Sequence, residues 1–93
     1  MRILVTPTFE RSVKKLHHQQ QKADLDLAVR AIASDPGIGE AKVGDLTGIC
    51  VYKFRMVNQL YLLSYRGLDE GSIKLLTVGP HESFYRDLKK LEI

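Results

Sequence analysis

The chain has 93 residues, 44% hydrophobic and 27% charged, the proportions of a single globular domain spanning residues 1–93. A chain this short buries only roughly 60 to 65% of its surface, which excludes a large internal cavity and makes an open surface site the expectation. Fourteen Lys and Arg against eleven Asp and Glu leave +3 and a pI near 9.1, which suits a polyanionic partner and is too mild to demand one.

No apolar run approaches the ~20 residues of a membrane helix, and MRILVTP has too short an apolar segment for a secretory signal, so a cytoplasmic protein with no membrane partner is expected. Cys50 is the single cysteine, which excludes an intramolecular disulfide, and its apolar surroundings fit a small buried hydrophobe better than a reactive thiol. No zinc-type spacing is present, and no metal or cofactor is expected.

RILVT (residues 2 to 6) is a short β-rich run, and Thr6-Pro7 suits a helix cap followed by the first helical position. Phe9, Val13 and Leu16 recur at helical spacing, and the polar HHQQQK (17 to 22) reads as a helix end and turn. A second helix carries Leu25, Ala28, Val29 and Ile32 on one face and stops at Asp35-Pro36-Gly37. GIGEAKVGDLTG (37 to 48), with four glycines and no sustained period, reads as a loop.

Three strands follow: ICVYKFRMV (49 to 57), LYLLSYRGL (60 to 68) and SIKLLTVG (72 to 79). Asn58-Gln59 is the expected hairpin turn and Asp69-Glu70-Gly71 the next connection, and Glu82 to Leu91 reads as a last helix. The order β-α-α-β-β-β-α predicts an α+β fold, a helical hairpin packed on one face of a small, mostly antiparallel four-stranded sheet.

Successive side chains leave a strand on opposite faces, so Lys53 and Arg55 share one face while Tyr52, Phe54 and Met56 share the other. A turn at Asn58-Gln59 would pair Lys53 with Ser64 and Arg55 with Leu62, and would put Arg66 further along the cationic side. Tyr61, Leu63 and Tyr65 then fall with Phe54 in the core. Charges on an exposed sheet face are ordinary, but no Asp or Glu occurs between Val51 and Leu68 to offset these. A phosphate-bearing partner accounts for the pattern better.

GPHESFYRDLKK (79 to 90) places His81 at the rim of the sheet, where the last helix begins. Histidine titrates near neutral pH and serves as acid or base, although alone His81 reads more simply as a turn residue. Tyr85, four residues on, comes round to the same helical side, where it can hydrogen-bond a phosphate, stack on a base or anchor the helix. His17 and His18 are adjacent, point apart and are expected to be solvated.

The element order, together with GDLTG before VYKFRM, then LYLLSYR and TVGPHESFYRDLKK, resembles the RelE/ParE superfamily of bacterial type II toxins, in a ParE-like subgroup. The resemblance to RelE implies ribosome-dependent cleavage of mRNA: the 2′-hydroxyl attacks the adjacent phosphate with no metal required. Lys53 and Arg55 match the paired basic strand positions, and His81 with Tyr85 is similar to the ending of YafQ. His81, Lys53, Arg55 and Tyr85 are thereby the expected catalytic residues, and Arg66, Tyr61 and Arg86 the expected RNA contacts. Tyr61 stands close to the position of a RelE arginine, a departure for which Arg66 is the candidate substitute. The family further implies a cognate antitoxin, and ParE members imply an alternative: inhibition of DNA gyrase without nuclease activity. An inactive homologue that only binds its antitoxin is the third reading.

Overall fold

The computed structural model describes residues 2–69 and 71–89, without the side chains of 83, 87 and 89. The first strand, β1 (Arg2–Val5), leads directly into α1 (Pro7–Lys14). As the sequence predicts, Thr6 caps that helix: its hydroxyl accepts the Phe9 N–H at 3.0 Å, and Pro7 occupies the first turn, where a missing N–H costs nothing. The same hydroxyl donates to the Leu76 carbonyl at 2.6 Å and fastens the start of α1 to the sheet.

The second helix, α2 (Gln19–Ser34), begins inside the polar run that reads as a turn in the sequence. Glutamines are good helix formers, and the Gln21 side chain accepts the His18 backbone N–H at 3.3 Å, satisfying one donor at the helix start. His17 and His18 are both exposed, as expected.

The glycine-rich stretch holds more structure than its composition suggests: a two-residue strand, β2 (Glu40–Ala41), and a single 3-10 turn at Gly44–Leu46. Two residues are too few to display a period. Then come β3 (Cys50–Met56), β4 (Gln59–Asp69), β5 (Ser72–Pro80) and α3 (His81–Lys89). The expected helix end at Leu91 and Glu70 of the expected connection lie outside the described residues.

The sheet therefore has five strands, not four, in the order β1-β5-β4-β3-β2. β1 pairs parallel with β5, and the other three pairings are antiparallel. The hairpin turn is Val57-Asn58 rather than Asn58-Gln59; both residues have positive φ (48° and 67°), which matches the strand twist. Lys53 consequently faces Leu62, and Arg55 faces Leu60. The register differs from the expected one by two residues, and a shift of two preserves which side chains share a face.

Two apolar clusters lie on opposite faces. Phe9 of α1, Leu16 of the connection between the helices, and Leu25 and Ile32 of α2 pack on Leu63, Tyr65, Ile73 and Val78. On the other side Phe84 and Leu88 of α3 pack on Val51, Leu62 and Leu76, with Leu46 and Ile49 beside them. The helical hairpin does occupy one face, but the opposite face is not open throughout, because α3 covers its centre. A bulge in β5 makes this possible: Ser64 pairs with Thr77 but Tyr65 with Leu75, so Leu76 is the extra residue and enters the α3 side. Beside it Ser64 and Thr77, both buried, join their hydroxyls at 2.6 Å.

Candidate nucleic-acid interface

Lys53 and Arg55 project from β3 on the face that α3 covers only in part, and both are exposed. Alternation places them in line with Val51, which lies under α3, so the basic pair begins where the helix cover ends. Neither makes an ion pair among the described residues. The acid nearest in register is Glu40, opposite Val51, and it is engaged at 3.3 Å by Lys42. A shallow depression of about 260 Å³ lies beside Lys53, lined by Ile38, Glu40, Val51 and Tyr52.

His81 enters at the same level of the sheet. Phe54, between the two cations, pairs with Tyr61, and Tyr61 pairs with Pro80, the residue before His81. Two strand spacings of ~4.8 Å separate β3 from β5, so the backbone at His81 stands about 10 Å across the sheet from the basic pair. His81 is exposed at the first position of α3, the helix that turns back over the cationic face. Strand, turn and helix thus bring Lys53, Arg55 and His81 to one end of one face.

The remaining expected residues are distributed differently. Tyr61 is half-buried on the α1–α2 side, its ring centroid 6.2 Å from that of Phe54, so the structure does not bring it to the cationic face. Arg66 is on the cationic side but four residues beyond Leu62, roughly 13 Å along the strand at ~3.3 Å per residue. Arg86 is exposed on α3 and held by an interaction of its own. Tyr85 is half-buried, edge-on to Phe84 with centroids 5.2 Å apart.

Sequence reasoning missed Lys42. Its ammonium lies 5.4 Å from the centroid of the Tyr85 ring, and hydrogen bonding to Tyr85 and then to Glu40 raises its pKa above the ordinary lysine value, burial opposing. Glu40 and Lys42 alternate on one side of a chain segment too short to show a pattern, so only the fold reveals Lys42 as a partner of α3 and Glu40 as the acid that engages it. Tyr65 is a second residue whose role was hidden: its hydroxyl donates to the Pro36 carbonyl at 2.6 Å and accepts the Gly39 N–H at 2.9 Å. Burial pushes its phenol pKa up. These bonds tie the loop before β2 to the sheet and so place Glu40 and Lys42. A Cβ at Gly39 would stand 2.6 Å from the Tyr65 hydroxyl oxygen, which is why glycine occupies that position.

Among the described residues no group of His, Cys, Asp and Glu is placed to hold a metal ion. Among the described residues no helix is long and apolar enough to cross a membrane.

This fold, with its basic sheet face, is that of a known class of bacterial toxin. Residues 3–89 match the family model of the ParE-like toxin of type II bacterial toxin-antitoxin systems, and the chain belongs to that family. Its architecture is similar to that of the E. coli toxin RelE: a RelE mutant in the free state superposes with a TM-score of 0.69 at 18% identity, covering 98% of this chain and 97% of the other. The same mutant bound to a peptide of the antitoxin RelB gives 0.66 at 18% identity with the same coverage. The intact E. coli RelBE toxin-antitoxin complex gives 0.67 at 19%, covering 85% of this chain and 94% of that one. At these identities the likeness is one of fold. No curated protein matches the chain.

Proposed function

We propose that this toxin is a metal-independent endoribonuclease that cuts mRNA on the ribosome in the bacterial cytoplasm, and that a cognate antitoxin neutralises it. The observation that carries this reading is the Lys53–Arg55 couple, without an ion-pair partner among the described residues, at the same end of the sheet as His81. In-line attack of a 2′-hydroxyl concentrates negative charge on the phosphate oxygens. Fixed cations stabilise that charge by several kcal/mol in a preorganised site. His81 either takes the 2′-proton or protonates the departing 5′-oxygen, and Lys53 or Tyr85, or the ribosome's own RNA, serves as the other proton-transfer group. Phosphodiester cleavage with a neighbouring hydroxyl needs no external nucleophile, so the task of the protein is charge stabilisation and proton transfer.

Antitoxin pairing rests on family membership and on the complexes seen for RelE. An acidic chain would complement the +3 surface. The second reading, inhibition of DNA gyrase by binding, draws on the ParE-like family model; it needs no proton-transfer group beside the cations.

Primer extension on translated mRNA from cells expressing the protein separates the two. Breaks within codons are expected. DNA cleavage complexes with an SOS response and intact mRNA would overturn the ribonuclease reading in favour of gyrase.

A further inference from the structure

At the opposite end of the same face, Arg66 on β4 stands directly across from Lys74 on β5. Like charges placed directly opposite in an antiparallel pair repel, so the pairing by itself is destabilising. Both residues are half-buried, and neither has an ion pair among the described residues. The Nε of Arg66 is enclosed by protein and has no hydrogen-bond partner among the described residues. An atom with no accessible surface cannot itself meet an external anion, so the enclosed Nε fixes how the guanidinium lies and leaves its terminal nitrogens to make the contact. The enclosure also restrains the guanidinium, so that an anion meets a cation already held in place.

We propose that Arg66 and Lys74 form a second anion subsite, which binds a nucleic-acid backbone phosphate other than the one held at Lys53 and Arg55. The choice of a phosphate over a carboxylate rests on the reading above, that this face takes RNA. A tetrahedral phosphate presents several acceptor oxygens, so it can take a guanidinium N–H and an ammonium at once and relieve their mutual repulsion. The two basic sites are separated by roughly 13 Å of strand at ~3.3 Å per residue. Between them lies the seat of α3 on Leu76, so a single phosphate cannot serve both. The subsite therefore acts as a positioning contact that holds the strand, or a structured RNA that carries it, and takes no part in the chemistry. Phosphates position without reading sequence, which predicts no base preference at this end.

The experiment measures binding of 2′-O-methyl RNA, which the proposed chemistry cannot cut, to the full chain by fluorescence anisotropy across a salt series. Single-stranded and duplex RNA form separate arms. The Arg66→Gln/Lys74→Gln variant is expected to weaken binding and to make the plot of log K against log salt shallower by about one. In a Lys53→Gln/Arg55→Gln background the same decrement is expected, as two separated sites require. Loss in the single-strand arm identifies the strand as the ligand; loss in the duplex arm alone identifies a structured RNA. Thermal melts check that each variant is folded, and Arg66→Lys/Lys74→Arg, which keeps both charges, should keep the slope. Wild-type affinity and slope in both arms for the glutamine variant overturn the subsite, as does a wild-type protein that binds neither RNA, or a variant that loses only an acidic peptide. If primer extension finds no mRNA breaks while the glutamine variant still loses RNA affinity, the ribonuclease reading fails and the subsite stands. Breaks together with unaltered RNA binding by the glutamine variant overturn the subsite and leave the ribonuclease reading in place.

Discussion

The ammonium of Lys42 lies 5.4 Å from the centre of the Tyr85 ring and links α3 to the edge of the sheet. The contact joins a residue before β3 to one in the last helix, so it restrains α3 one turn after His81. Lys42→Met should cost about 0.5–1 kcal/mol in urea unfolding, and Lys42→Arg should restore most of it. Because the folded pKa is raised above the ordinary 10.5, this contribution is complete at neutral pH and is lost as pH rises through the folded value. An unchanged stability for Lys42→Met would remove the contact as a restraint on α3.

His81 and Lys53 are exposed, so truncating either should leave the core intact. His81→Ala and Lys53→Ala are each expected to relieve growth arrest, with mRNA cleavage reduced by ~10²- to 10⁴-fold for a lost acid or base. Antitoxin co-purification and thermal midpoint should stay at wild-type values. Full toxicity of both variants would place the chemistry elsewhere.

Tyr65 carries two hydrogen bonds through one buried hydroxyl, to Pro36 and Gly39. Tyr65→Phe leaves both backbone groups to find other partners and should cost about 1–3 kcal/mol in urea unfolding. A phenol pKa raised in the fold means stability that is complete below the unfolded value of 10.0 and lost as pH rises through the folded value. The alkaline unfolding of Tyr65→Phe should therefore lose that component. Gly39→Ala, which drives a Cβ against the same hydroxyl, should be destabilising as well. An alkaline profile identical to wild type for Tyr65→Phe would rule the phenol out.

Val57 holds φ at 48°, a conformation that a β-branched side chain disfavours, and is 48% exposed at the hairpin tip. The Asp24 carboxylate accepts its N–H at 3.0 Å and braces the turn from α2. Val57→Asn removes the steric conflict and should stabilise the fold by about 1 kcal/mol, whereas Asp24→Ala should destabilise it by a comparable amount. Calorimetry of the two variants provides the check: a lowered midpoint for Val57→Asn would contradict strain at that residue.

Val57 also explains a misplaced turn. Asn58-Gln59 contains the obvious turn former, while a valine in the left-handed region has no local signature; Asp24, remote in sequence, helps to hold it there. The observed register and the one an Asn58-Gln59 turn would give differ by an even number of residues, so Lys53, Arg55 and Arg66 share their face in both.

The sequence by itself determined the helical hairpin, the three central strands, the Thr6 cap and the shared face of Lys53 and Arg55, because each depends on neighbouring residues and local periodicity. Tertiary structure decided the rest. Whether β1 pairs with β5, whether two residues at 40–41 form a strand, and which face α3 covers all depend on contacts between segments far apart in the chain. The bulge at Leu76 turns an extra apolar side chain toward α3. That one displacement leaves basic groups at both ends of the face: Lys53 and Arg55 beside the start of the helix, Arg66 and Lys74 beyond its seat.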